Sequence, residues 1–353
     1  MLESEHYSGQ PGREARPPLR AGRDGPAARA FAAPAPDSPG MAAARRDLNH
    51  GALAARAAPD PSWRPAARYD PAGSSGAAMR NEDCVRFLKW CLPRLRLRWP
   101  GYRKVRKTVC KRITRRLRDL GLDDLDGYRA LLAEDPEEWA RLDAFCRIPV
   151  SRFCRDRQVF EAVGRRILVE LAERAAARGA REVRCWSAGC ASGEEAYSLR
   201  LVWDLSGEPA GRGVRLAILG TDADEAMLTR AAAACYERAS LKDLPAPWLE
   251  QAFTRRGTRL CLRPEFRRGI SFRQEDIRTA RPAGRFDLIL CRNLVFTYFE
   301  ASLQEELLGE IDRKLRPGGF LVIGAHERLP KGAITSVRAE GTLPVYRKAG
   351  AGK

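Results

Sequence analysis

Between residues 183 and 325 the chain alternates short apolar runs with amphipathic stretches, and this alternation limits the fold more than any other feature. "VRCWSAG" (183–189), "VRLAILGTD" (214–222), "ISFRQEDI" (270–277), "FDLILCRN" (286–293) and "GFLVIGA" (319–325) read as strands. Helical patterns separate them at 194–205, in "DEAMLTRAAAACY" (224–236) and from 301 to 315, where "RPGG" closes the last. A strand-helix-strand rhythm with nearly continuous apolar strands predicts a parallel sheet covered by helices on both faces. The polar interval 237–269 breaks the rhythm, with a hairpin expected at Arg256-Gly257, and reads as a small β-rich inserted subdomain.

The preceding sequence has a different character. Residues 1–78 hold 21 of the alanines and 11 of the 23 prolines without apolar periodicity, so they are expected to form a disordered Ala/Pro/Arg-rich tail. Residues 79–150 read as a basic helical domain. "YRKVRKTVCKRITRRLRDLGL" places Val105, Val109, Ile113 and Leu117 four apart, an apolar stripe on a helix whose other faces are basic. Gly121 ends it, and two shorter helices flank Asp135-Pro136. The net charge of +18 is concentrated here: residues 80–118 carry 15 Lys or Arg against Glu82 and Asp83. The α/β domain is expected to span 151–348.

Ten cysteines without a CxxC pair are expected to be buried thiols, and His326 alone lies outside the tail. No metal site and no histidine triad is expected. No apolar run reaches the 18 residues of a membrane span, and the N-terminus lacks a basic and an apolar signal region, so the cytoplasm is the expected address.

In parallel α/β sheets, ligands bind at the carboxyl ends of strands, and "SAGCASGEE" is the first strand-turn-helix. It is not a phosphate loop. GxxxxGK[ST] would supply a lysine where this chain has Glu194 and Glu195, which repel phosphate, and Gly189 and Gly193 do not fit GxGxxG. Taken alone, the glutamates could simply oppose the helix dipole. The second strand, however, ends in Asp222, where nucleotide-binding α/β folds place an acid against ribose hydroxyls. An adenosine ligand without phosphates and with a cationic end is S-adenosylmethionine.

These motifs together resemble the chemotaxis receptor methyltransferases (CheR type), which methylate glutamate side chains of chemoreceptors. "SRFCRD" (151–156) is similar to TxFFR[DE], and "WSAGCASGEEAYSL" (186–199) to WSAxCSTGEEPYS. "LGTDADEAMLTRAA" resembles the strand with the ribose acid, "CRNLVFTYFE" (291–300) resembles CRNVxIYFD, and "LRPGGFLVIGAHERL" (315–329) resembles LxPGGxLxxGxxE. The resemblance runs from about 100 to 330 and implies a Rossmann-like class I methyltransferase sheet behind a small helical domain. It implies cofactor contacts at Ser151, Arg155, Gly189, Glu194 and Asp222. Asp276 and Ile277 would border the adenine, Arg292 and Asn293 would complete the site, and Arg155, Arg292 and Tyr298 would serve the reaction.

The chain departs from the pattern in four places. Cys154 replaces Phe, Ala196 replaces Pro, Pro149 stands where the family often has Asn, and one extra residue moves the tyrosine from the fourth to the fifth place after Asn293, leaving Thr297 at the fourth. A glutamate acceptor has a pKa near 4.3 and is already ionised at neutral pH, so a chain almost free of histidine can carry out this reaction. The implied function is protein-glutamate O-methylation. The basic helix 103–118 would meet an acidic protein, such as the cytoplasmic helices of a chemoreceptor, and the enzyme is expected to be a monomer. Other protein, small-molecule or RNA acceptors, and a non-catalytic cofactor-binding scaffold, are the alternatives; RNA is disfavoured because no NPPY-like tetrad and no aromatics cluster beside the basic residues.

Overall fold

The computed structural model describes residues 80–206, 213–330, 336–338 and 342–350; the expected tail, 1–78, lies outside them. The helical N-terminal part comprises α1 (Asn81–Arg94), α2 (Trp99–Tyr102), α3 (Arg106–Leu120), α4 (Leu125–Glu134) and α5 (Pro136–Cys146). Val109, Ile113 and Leu117 form the buried stripe of α3, whereas Val105 precedes the helix as its N-cap and is only half buried. Gly121 ends α3 at φ +66°, and the Asp124 and Asp135 carboxylates accept backbone N–H groups at the starts of α4 and α5. Lys107, Lys111, Arg115 and Arg118 are exposed on α3.

A broken helix follows, with α6 (Arg157–Ala162) and α7 (Val169–Ala177) joined by a π-helical turn at Val163–Leu168. The α/β part continues through β1 (Glu182–Ala188), α8 (Glu194–Leu205), β2 (Arg215–Asp222), α9 (Glu225–Ala233), β3 (Cys235–Tyr236), α10 (Ala246–Ala252), β4 (Phe253–Arg256), β5 (Arg259–Leu262) and β6 (Ile270–Gln274). It ends with β7 (Phe286–Cys291), α11 (Val295–Tyr298), α12 (Ala301–Lys314), β8 (Leu315–Ile323), β9 (Ser336–Arg338) and β10 (Val345–Lys348). The large sheet has the order β6-β2-β1-β7-β8-β10-β9, parallel from β6 to β8, with β10 antiparallel to β8 and β9 antiparallel to β10. Every residue of β7 is buried, as a strand in the middle of a covered parallel sheet requires.

Two local expectations need correction. The helix expected over 224–236 stops at Ala233 because Ala234 turns left-handed (φ +52°), so Cys235 and Tyr236 pair with β5 instead; with β4 they form a separate three-stranded antiparallel sheet. Four of the ten cysteines are not thiols: Cys84 is bonded to Cys110, joining α1 to α3, and Cys235 to Cys261, joining paired positions of β3 and β5. Helix packing and strand register bring these sulfurs together, and spacing along the chain carries no sign of either. The other six cysteines are buried thiols. Among the described residues no helix is long and apolar enough to cross a membrane.

A buried carboxylate ties three helices of the helical part together. Glu138 is fully buried and accepts hydrogen bonds from Arg116 Nε (3.0 Å) and Nη2 (2.7 Å), Tyr128 Oη (2.7 Å) and Arg141 Nη1 (3.0 Å). Burial alone would push its pKa up, but the bonds from Arg116, Tyr128 and Arg141 outweigh it and hold the carboxyl below its usual range. Glu138→Ala is therefore expected to cost about 3 kcal/mol in urea unfolding at neutral pH, since it strands Tyr128 and Arg116. Because the folded pKa is depressed, this contribution is present above the usual glutamate value of about 4.3 and is lost as pH falls through the folded value, so the gap between variant and wild type should close in acid.

Candidate functional site

One cavity opens at the carboxyl ends of β1, β2, β6 and β7, where the helical part closes over the sheet. Its walls include Leu97, Tyr102, Asp143 and Arg147 from the helical part and Ser151, Gly189, Asp222, Asp276, Arg292 and Tyr298 from the α/β part. The turn after β1 shapes the floor. Gly189 has φ +74°, and a Cβ there would lie 2.5 Å from Leu294 Cδ2; Gly193 has φ +87°, and a Cβ there would lie 2.9 Å from the Ala231 Cβ. Gly189 thus lets the loop approach the Asn293 turn, while Gly193 allows α8 to start against α9.

Asp222, at the end of β2, uses both oxygens to fix this turn: Oδ2 accepts Ala191 N–H (2.8 Å) and Oδ1 accepts Asp224 N–H (2.9 Å). Burial raises its pKa, and these backbone bonds oppose the rise. Each oxygen keeps a lone pair for a ligand hydroxyl. On the neighbouring strand end, Ile277 gives an apolar wall and Asp276 is held by Arg278, whose Nε and Nη2 reach it at 3.0 and 2.7 Å. The same guanidinium bonds both oxygens of Asp143 on α5 at 2.7 Å, so it ties the helical part to the sheet. Burial works to raise the Asp276 pKa, but Arg278 outweighs it and keeps the carboxyl below its usual value.

The two loop glutamates take different places. Glu195, not Glu194, lines the cavity. Glu194 is buried beside the Ser192 hydroxyl, which donates to it at 2.9 and 3.0 Å; burial raises its pKa, and bonds from Ser192 and Ser151 oppose the rise. Glu195 accepts Ser187 Oγ (2.7 Å) and Arg292 Nη1 (3.1 Å), and burial raises its pKa despite Arg292. A helix start presents adjacent residues on different sides, and sequence alone gives no means of telling which side faces the cavity. The other expected site residues, Ser151, Arg155, Gly189, Asp222, Asp276, Ile277, Arg292, Asn293 and Tyr298, all line it.

The arginines differ sharply in their partners. Arg292 is buried and bonded through its two Nη atoms to Glu195, Asp156 (2.6 Å) and the Arg155 carbonyl (2.7 Å), while its Nε has no hydrogen-bond partner. Arg147 pairs with Asp143 (3.2 Å), Arg152 with Asp243 (3.1 Å), and Arg278 with Asp143 and Asp276. Arg155 donates only to the Val150 carbonyl (3.1 Å) and, among the described residues, meets no carboxylate. Sequence reasoning missed Arg278, Asp143 and Arg147. Arg278 lies two residues beyond Asp276, but nothing in the spacing brings Asp143 to it.

Residues 149–342 match the family model described as the CheR methyltransferase SAM binding domain, and 104–142 match the CheR methyltransferase all-alpha domain. The chain belongs to the CheR methyltransferase family. Among relatives of this CheR-family chain, an uncharacterized 104.1 kDa protein of Rhodobacter capsulatus is 37% identical over 222 residues, 63% of this chain and 23% of that one. The chemotaxis protein methyltransferase of Listeria monocytogenes is 36% identical over 183 residues, 52% of this chain and 66% of that protein. The chemotaxis protein methyltransferase of Klebsiella aerogenes is 33% identical over 232 residues, 63% of this chain and 75% of that one. The chain thus spans just under two thirds of the Listeria relative and less than a quarter of the Rhodobacter protein.

The pairing of Arg292 with Glu195 gives a pH-dependent expectation. Arg292→Met leaves Glu195 buried without a cation, so its proton is held more tightly in the folded state and its ionisation opposes folding as pH rises. The drop in melting temperature should be larger at pH 8 than at pH 5. An equal drop at both would show that Glu195 is not the group affected.

Proposed function

We propose that this CheR-family protein transfers a methyl group from S-adenosylmethionine to glutamate carboxylates of a chemoreceptor-like protein. The observation that carries the reading is Arg155: among the described residues it meets no carboxylate, whereas Arg147, Arg152, Arg278 and Arg292 on the same cavity each do, so it can receive one from an acceptor. The residues fit the cofactor as well. Asp222 has lone pairs for ribose hydroxyls, Ile277 and Ile148 wall an apolar ring site, and the carboxylates of Glu195 and Asp224 suit a cationic amino-acid end. When bound, the cofactor supplies an activated methyl group on a sulfonium.

The protein's part is then positional. The acceptor glutamate arrives ionised, so no base has to remove a proton. Arg155 can hold one of its oxygens, leaving the other free to lie in line with the methyl group. Tyr298 faces the same cavity, its pKa raised by burial, so its hydroxyl stays protonated and can donate. Burial of the acceptor between the helical part and the sheet strips water from the carboxylate. Lys107, Lys111, Arg115 and Arg118, exposed on α3, suit an acidic protein partner.

Calorimetry with S-adenosylhomocysteine tests the cofactor half: Asp222→Ala should weaken binding by about tenfold or more. Arg155→Ala should lower methyl transfer to a chemoreceptor cytoplasmic fragment by about a hundredfold. Unchanged cofactor binding in Asp222→Ala, or full transfer by Arg155→Ala, would contradict the assignment.

A further inference from the structure

The one-turn helix α11 brings Tyr298 to the cavity, although an extra residue separates this tyrosine from Asn293. A buried carboxylate ties its turn down from the inner side. Glu327, in the loop after β8, is buried and accepts Asn293 N–H (2.8 Å) and Gly324 N–H (2.6 Å) on Oε2, and Thr297 Oγ–H (2.6 Å) on Oε1. Its two oxygens therefore grip both ends of the segment 293–297. Asn293 sits at φ +57°, a left-handed turn conformation that asparagine tolerates, and Leu294 follows at φ −128°, ψ −86°. No side chain caps α11 at its start.

From the outer side, the helical part holds the same turn. Arg98 Nε donates to the Thr297 carbonyl (3.1 Å), Arg98 Nη2 donates to the Phe296 carbonyl, and Arg98 N–H donates to the Tyr298 carbonyl (2.8 Å). Gly101 packs so closely that a Cβ there would lie 2.4 Å from the Thr297 oxygen. The turn is thus held from both sides, and the Thr297 hydroxyl is the side-chain group that ties it to Glu327. Successive helical residues point about 100° apart. With the Thr297 hydroxyl bonded inward, the next side chain, Tyr298, is directed to the cavity, where its ring lies 5.1 Å from that of Tyr102. Neither Thr297 nor Glu327 is among the residues lining the cavity.

We infer that Thr297 and Glu327 are positioning residues that deliver Tyr298 to the acceptor side of the cavity, with the Thr297 hydroxyl setting the rotation of α11. This rests on the methyltransferase reading above. Threonine stands at the place the resemblance gives to tyrosine, so the extra residue and the hydroxyl act together: the insertion moves the ring on by one position, and the bond to Glu327 turns that position toward the cavity.

The test compares full-chain Thr297→Val, Thr297→Ser and Tyr298→Phe with the double variant Thr297→Val/Tyr298→Phe. Thr297→Val keeps the shape and removes the hydroxyl, so S-adenosylhomocysteine affinity should stay within about twofold while kcat on a chemoreceptor cytoplasmic fragment falls about tenfold. Thr297→Ser should restore kcat, and Thr297→Val should cost nothing further in the Tyr298→Phe background. In protein labelled with 3-fluorotyrosine, with Tyr298→Phe assigning the signal, the Tyr298 fluorine resonance should move or broaden in Thr297→Val and return in Thr297→Ser. An unmoved resonance, or a Thr297→Val loss that adds in full to that of Tyr298→Phe, overturns the inference. Full activity in Tyr298→Phe removes it together with the acceptor role of Tyr298. Failure of the wild type to bind S-adenosylhomocysteine would strike instead at the methyltransferase reading.

Discussion

Charges taken out of water have to be matched, and in this protein the matching is nearly complete around one cavity. Asp143, Asp156, Asp243, Asp276 and Glu195 between them engage Arg147, Arg152, Arg278 and Arg292. An unpaired buried ion costs several kcal/mol, so the buried pairs, those of Arg278 and Arg292, constrain where their elements can sit. Arg155 stands outside the scheme. Among the described residues it meets no carboxylate, and it lines the cavity together with Tyr298.

The same pairs make the helical part a wall of the site. Arg278 reaches from the loop after β6 to Asp143 on α5, Arg147 donates to the carbonyl of Ala223 just beyond Asp222, and Arg98 holds α11. Docking of a partner on the basic face of α3 would therefore act on elements that already touch the cofactor side. Glu138 keeps α3, α4 and α5 together through Arg116, Tyr128 and Arg141, so the basic face of α3 and the cavity wall belong to one bonded unit.

Much of this was legible in the sequence because it follows from local periodicity. Apolar runs such as Phe286–Cys291 fix strands, Val109, Ile113 and Leu117 fix the buried face of a helix, and glycine and aspartate mark the turns where a ligand can approach. The site residues carried by motifs also converge on the cavity. What escaped depends on distance through space. Cys84 and Cys110, or Arg278 and Asp143, meet only after elements pack, and Ala234 leaves the helix because β5 offers it and its neighbours a strand partner. The choice between Glu194 and Glu195 turned on about 100° of helix rotation, which adjacency in sequence does not resolve. Glu327 stood in view as the last letter of a motif, yet its partners, Asn293 and Thr297, lie some thirty residues away.

The central claim is that the acceptor is a carboxylate, received by Arg155. Its most direct measurement is the chemical form of the transferred methyl group after incubation with methyl-tritiated S-adenosylmethionine and a chemoreceptor cytoplasmic fragment. A protein methyl ester gives volatile tritiated methanol on mild alkali, and that is the result this structure predicts. Label that resists alkali, or that partitions with nucleic acid, would contradict it.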